Sequence, residues 1–119
     1  MDETIFSALQ LGLQGAAAVT EPFSGLHWSG SLVTVELTQH APLELHGAVT
    51  RVAYRVTAWA EDNTQREALA DVADQVMTGL GFARVSAASR RSGRVHGISM
   101  QYRALLDASG TLHGEPRTV

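Results

Sequence analysis

The chain contains no cysteine and no lysine. Without cysteine there is neither a disulfide nor a thiolate for a structural zinc site. The 119 residues therefore have to be held by one hydrophobic core, and a chain of this length suffices for one domain and is too short for two. The lack of cysteine also fits a reducing compartment. Without lysine there is no phosphate-cradling loop ending in Gly-Lys-Ser/Thr and no Schiff-base amine. Long apolar runs are missing too: the longest weakly polar stretch, Leu9 to Val19, is interrupted by Gln10, Gly12, Gln14 and Gly15, well short of the ~18 apolar residues a membrane helix needs. The opening Met1-Asp2-Glu3-Thr4 lacks the basic region and apolar core of a signal peptide. Synthesis and use in the cytosol, or in a particle assembled there, is the expectation.

What remains is the composition of a folded domain, 45% hydrophobic and 18% charged. The net charge of −3 is not the balance of a nucleic-acid-binding protein. All nine basic residues are arginine. That bias, with many Ala and Gly, points to GC-rich coding; the alternative is arginine chosen for bidentate interface contacts.

Periodicity predicts an α+β domain spanning 1–119. Ile5, Phe6, Leu9 and Leu13 have helical spacing over 3–14. Glu21 to Gly25 reads as a loop. Residues 31–38 alternate, with Val33, Val35 and Leu37 facing one way, and so predict a half-buried strand. Pro42 and Gly47 make 39–47 a flexible loop. A second strand over 48–60 places Val52, Tyr54, Val56 and Ala58 on one face and Arg51, Arg55, Thr57 and Trp59 on the other; the two strands should pair antiparallel. Thr64-Gln65-Arg66-Glu67 fits a capping box, and Leu69, Val72, Ala73, Val76, Met77 and Leu80 form one helical stripe that ends at Gly79 and Gly81. Two further strands follow: 82–89, with Ala83, Val85 and Ala87 inward, and 95–106, with Ile98, Met100, Tyr102 and Ala104 on one face. Arg90 to Arg94 should turn between them. Asp107 to Gly110 suits a type I turn, and 111–119 returns as a short edge strand in a mobile tail, 107–119. The expected product is a mostly antiparallel sheet of four to five strands with two helices packed on one face.

The sequence offers no site for chemistry. His27, His40, His46, His96 and His113 form no ligand-spaced pair, no Gly-x-Gly-x-x-Gly loop or Gly-x-Ser-x-Gly elbow occurs, and no cofactor is expected. Charge is more informative. Glu67, Asp71 and Asp74 lie at spacings of four and three and line one helix face. Arg84, Arg90, Arg91 and Arg94 crowd one turn. Each set reads either as a solvated face or as one half of a contact between copies, which joined head to tail can close into a ring; the arginines could instead touch nucleic acid, although none of Trp28, Trp59, Tyr54 and Tyr102 is interleaved with them to stack bases. The 39–47 loop and the 107–119 tail read either as an ordinary loop and end or as arms that order on a partner.

The stretch Arg55 to Val76, with a strand ending in Ala58-Trp59-Ala60, an Ala-rich helix and a Gly81-Phe82 exit, resembles the strand-to-helix junction of tail-completion (tail terminator) proteins of long-tailed phages and phage-like gene-transfer particles. Tyr102 to Asp107 followed by Gly110-Thr111 is similar to that family's final hairpin, and the opening helix to its start. The likeness spans roughly 3–112; His27-Trp28 stands where the family has an aromatic pair ahead of its first strand. The resemblance implies a non-catalytic virion protein, assembled in the bacterial cytoplasm. Six copies would ring the tail axis and cap the finished tube. The ring would bind the tail tube protein on one side and a head-completion (stopper) protein on the other. DNA would pass through it without sequence-specific binding. The charged residues named above would then be subunit or ring-to-ring contacts.

Three other readings stay open. A sibling neck protein of the same particle fits the same features. A small-molecule or regulatory binding module would need a sizeable apolar pocket. An enzyme would need at least two of the histidines to converge beside a carboxylate.

Overall fold

The computed structural model describes residues 2–14, 18–20, 31–42, 49–92, 95–107 and 112–114. They form a helix α1 (Asp2–Leu13), strands β1 (Ala18–Thr20), β2 (Leu32–Pro42) and β3 (Thr50–Trp59), a helix α2 (Asn63–Gly79), and strands β4 (Ala83–Ser92), β5 (Val95–Leu106) and β6 (Leu112–Gly114). The strands make one sheet in the order β1-β2-β3-β5-β4, with β6 also pairing β5. Every pairing is antiparallel except β1 with β2. The α+β class, the antiparallel pairing of the first two long strands and the limits of β5 agree with the sequence reading. The three-residue β1 is an addition, too short to show an alternation.

Both helices cover the same face of the sheet. Ile5, Leu9 and Leu13 of α1 and Leu69, Ala70, Ala73 and Met77 of α2 form one buried cluster with Val33, Val35, Val52, Tyr54, Val56, Ala58, Met100, Tyr102 and Ala104. The strand residues in it are register neighbours: Val35 is opposite Val56, which is opposite Met100, and Tyr54 is opposite Tyr102. Phe82, just beyond α2, closes the cluster edge-on to the Tyr54 ring, 5.7 Å between centroids, a favoured aromatic geometry.

The start of α2 differs from the expectation by one turn boundary. The N-cap is Asp62, whose carboxylate accepts the Gln65 N–H at 3.0 Å; Thr64 lies inside the first turn. Asp62-x-x-Gln65 and Thr64-x-x-Glu67 are both capping patterns. The earlier one prevails because the chain leaves β3 at once. Arg66 fixes that departure, donating from Nη1 to the carbonyls of Ala60 (2.7 Å) and Glu61 (3.1 Å) and from Nη2 to Asn63 Oδ1 (3.0 Å). The end of α2 is a Schellman motif: Phe82 N–H bonds to Met77 O and Gly81 N–H to Thr78 O, both at 3.1 Å. Gly81 has φ 106°, a conformation that a side chain would oppose.

Three strand expectations are corrected. First, β2 does not end at Thr38: it continues to Pro42, across a bulge between Leu37 and Gln39. The predicted loop 39–47 therefore begins with strand, and 43–48 lie outside the described residues. Leu37, expected inward, is 45% exposed although it stands opposite the buried Tyr54, because it lies on the part of β2 that β1 does not cover. Second, Val85 and Ala87 are exposed. β4 is an edge strand, and a bulge between Arg84 and Ser86 shifts its alternation, so that Arg84 stands opposite Tyr102 and Ala87 opposite Met100. Third, Arg90 and Arg91 are not turn residues: β4 runs through them to Ser92, paired with Val95. The Asp107–Gly110 turn and the tail after Gly114 fall largely outside the described residues, whereas β6 supplies the predicted return strand on the edge of β5.

Candidate interaction surfaces

The alternation of β4 separates the arginine cluster that looks continuous in sequence. Arg84, opposite Tyr102, and Arg91, opposite His96, lie on the helix side; Arg90, opposite Gly97, lies on the other. Arg94 is outside the described residues. The acidic stripe also divides. Glu67 and Asp71 are exposed on α2, whereas Asp74 is tied inward: Tyr102 Oη donates to its Oδ1 at 2.8 Å and Arg84 Nη1 stands 3.7 Å from its Oδ2. One pair drawn from the two charged sets thus meets within a single copy. Burial, and then the hydrogen bond to Asp74, push the Tyr102 hydroxyl far above the ordinary tyrosine value, so it stays a donor.

Above this pair lies an open cleft of about 220 Å³ between α2 and the outer strands. Glu67, Asp71 and Arg84 stand at its rim, with Ala87, Ile98 and Met100 beneath. It is smaller than the ~300–1,000 Å³ of most ligand sites and carries charge of both signs. Among the described residues no group of three His, Asp or Glu could hold a metal ion. His40 pairs across from Val52 near the end of β2, and His96 lies near the start of β5, so these two do not converge. His27 and His46 are outside the described residues.

The helix-free face of the sheet has its own character, which the sequence reading saw only in part. Across it run register rows Thr34–Thr57–Ser99, Glu36–Arg55–Gln101 and Ala53–Arg103, with Arg51 opposite Leu105. Arg55 Nη1 bonds to Glu36 Oε2 at 3.2 Å. The first row is buried and bonded: Thr57 Oγ1 donates to Ser99 Oγ at 3.3 Å and Trp59 Nε1 to Thr34 Oγ1 at 3.1 Å. The Trp59 ring lies over Gly97, where a Cβ would come within 2.7 Å of it. Arg51, Arg55, Arg90 and Arg103 thus share one face, with Glu36 as its acid, while Glu67, Asp71 and Asp74 sit on the other. Arg51 and Arg55 were legible as same-face residues. Arg103 was not, because only the β3–β5 register places it beside them.

The third feature is a pair of open edges. Among the described residues β4 has no neighbour on its outer side, and β1 covers β2 only along Leu32–Thr34. Two of the three exposed large apolar side chains, Leu37 and Val85 (45% and 49% exposed), lie on these edges, each beside a bulge; the third, Leu11, is on α1.

No known family model matches the chain, and no curated protein matches it. Among the described residues no helix is long and apolar enough to cross a membrane.

Proposed function

We propose that this protein is a non-catalytic structural component of a phage tail or phage-like particle. In this reading it forms a ring, six copies in the resembled family, that ends the tail tube and joins it to the head-completion proteins. The observation that carries this is the strand-to-helix junction. The segment that resembles the tail-terminator junction is built as one unit: β3 ends at Trp59, Arg66 clamps Ala60 and Glu61, α2 follows, and the Gly81-Phe82 exit closes the core. The exposed Glu67 and Asp71 of α2 and the open strand edges support assembly, since these are features a partner would complete. The small cleft of mixed charge gives a ligand-binding module less support.

The test is to incubate the purified protein with tail tubes and examine mass by light scattering and shape by electron microscopy. A ring at one end of the tubes is the expected result. A chain that stays monomeric and ignores tubes overturns the proposal, and a ring that binds only the head-completion protein moves it to a sibling neck component.

A further inference from the structure

We infer that neighbouring copies join edge to edge: the outer edge of β4 in one copy pairs antiparallel with β2 beyond Thr34 in the next, so that one sheet runs on from copy to copy. This rests on the ring reading above and names the surface that builds the ring.

Four observations lead to it. The first is availability. The ten residues of β4 and the stretch of β2 from Val35 to Pro42 are the long strand edges left without a neighbour among the described residues. Unpaired backbone donors and acceptors along an edge are a template for another strand. The second is direction. β2 is antiparallel to β3, β3 to β5 and β5 to β4. β4 therefore runs opposite to β2 within one copy, and a second copy added in the same orientation brings β4 and β2 together antiparallel, with both helices on the same side throughout.

The third is apolar surface. Leu37 and Val85 stand on these two edges, exposed in the single copy, where the joined sheet would cover them. The fourth is charge. β4 carries Arg84, Arg90 and Arg91 and no acid, whereas β2 carries Glu36 and no arginine. Two β4 edges would set arginine against arginine, which disfavours a two-fold dimer; β4 against β2 has no such conflict. Bulges and arginines guard an edge against indiscriminate pairing, and here they narrow the choice to an edge of different charge. The contact uses two different surfaces, so it does not stop at two copies; with a rotation that closes, its repetition gives a ring.

Cysteine cross-linking tests this directly, because the chain has no cysteine of its own. Leu37→Cys and Val85→Cys are placed at exposed sites, singly and together, and each variant is checked for native circular dichroism. After assembly on tail tubes and oxidation, the double variant should give a ladder of linked species ending at one discrete size, and each single variant should remain unlinked. In the unmodified protein, amide exchange in 35–42 and 83–92 should slow on assembly by tenfold or more. Linked dimers from either single variant would overturn the proposal in favour of like-edge pairing. Rings seen by microscopy with no linkage in the double variant and no slowing of exchange would overturn edge pairing while leaving the ring reading intact. A protein that stays monomeric with and without tubes would overturn both.

Discussion

At the residue scale, Tyr102 joins the sheet to α2. Its ring is fully buried, its hydroxyl donates to Asp74, and through Asp74 it reaches Arg84. One residue of β5 thus ties α2 to the sheet. Tyr102→Phe keeps the ring and removes the bond; a hydrogen bond to a charged partner contributes about 1.5–3 kcal/mol. A loss near the lower end is expected, because Asp74 is partly solvated and water can replace the hydroxyl. The same variant has a pH signature. The folded hydroxyl titrates above its ordinary value of 10.0, so above that pH the folded state holds a proton that the unfolded state has released. Stability from this group is therefore complete below about pH 10 and declines as pH rises beyond it. Urea midpoints at pH 8 and pH 11 should fall more steeply for the wild type than for Tyr102→Phe; parallel declines would deny Tyr102 this role.

At the element scale, α2 shows how close two readings of one sequence can lie. Asp62 and Thr64 are both good N-caps with a Gln or Glu three residues on, and only the geometry shows that Asp62 accepts the Gln65 N–H. Asp62→Ala should cost about 0.5–2 kcal/mol, and Thr64→Ala, at an exposed position within the helix, no more than about 0.5 kcal/mol. Thermal melts of the two variants decide the point, and equal losses would mean that the helix starts elsewhere. β4 teaches a related lesson. Its small alternating residues marked a strand, but alternation identifies an inward face only when something covers that face. Past the bulge at Val85, Ala87 does stand on the helix side, opposite Met100, but the strand lies at the edge, so expected core residues became surface ones.

At the scale of the whole molecule, the acidic stripe of α2 divides into Asp74, bonded to the buried Tyr102, and the exposed Glu67 and Asp71, and this revises how charge pairing is best tested. Reversing Asp74 would strike the Tyr102 anchor and confuse folding with assembly. Glu67 and Asp71 are exposed, so Glu67→Arg with Asp71→Arg should leave stability within about 0.5 kcal/mol per site while removing the acidic stripe. On the proposed reading the joining of tails to heads falls at least tenfold with the monomer still folded. Normal yields of joined particles would remove the stripe from the contact surface.

The sequence by itself determined both helices, the existence of the four long strands and most of the core. Burial has a period, 3.6 in helices and two in strands, and that period was strong wherever a segment faced a single dry interior. Leu69 to Leu80 in α2, Val52 to Ala58 in β3 and Ile98 to Ala104 in β5 could be read for that reason. It also showed two charged sets of opposite sign. Only the tertiary structure decided which of those charges meet. Register, strand order and bulges are relations between distant segments, and no local period encodes them. They placed Arg103 beside Arg51 and Arg55, split Arg90 from Arg84 and Arg91, and turned Asp74 from a surface acid into the partner of a buried tyrosine. The same relations left Leu37 and Val85 on the two open edges, because an edge exists only once every other strand has found its neighbour.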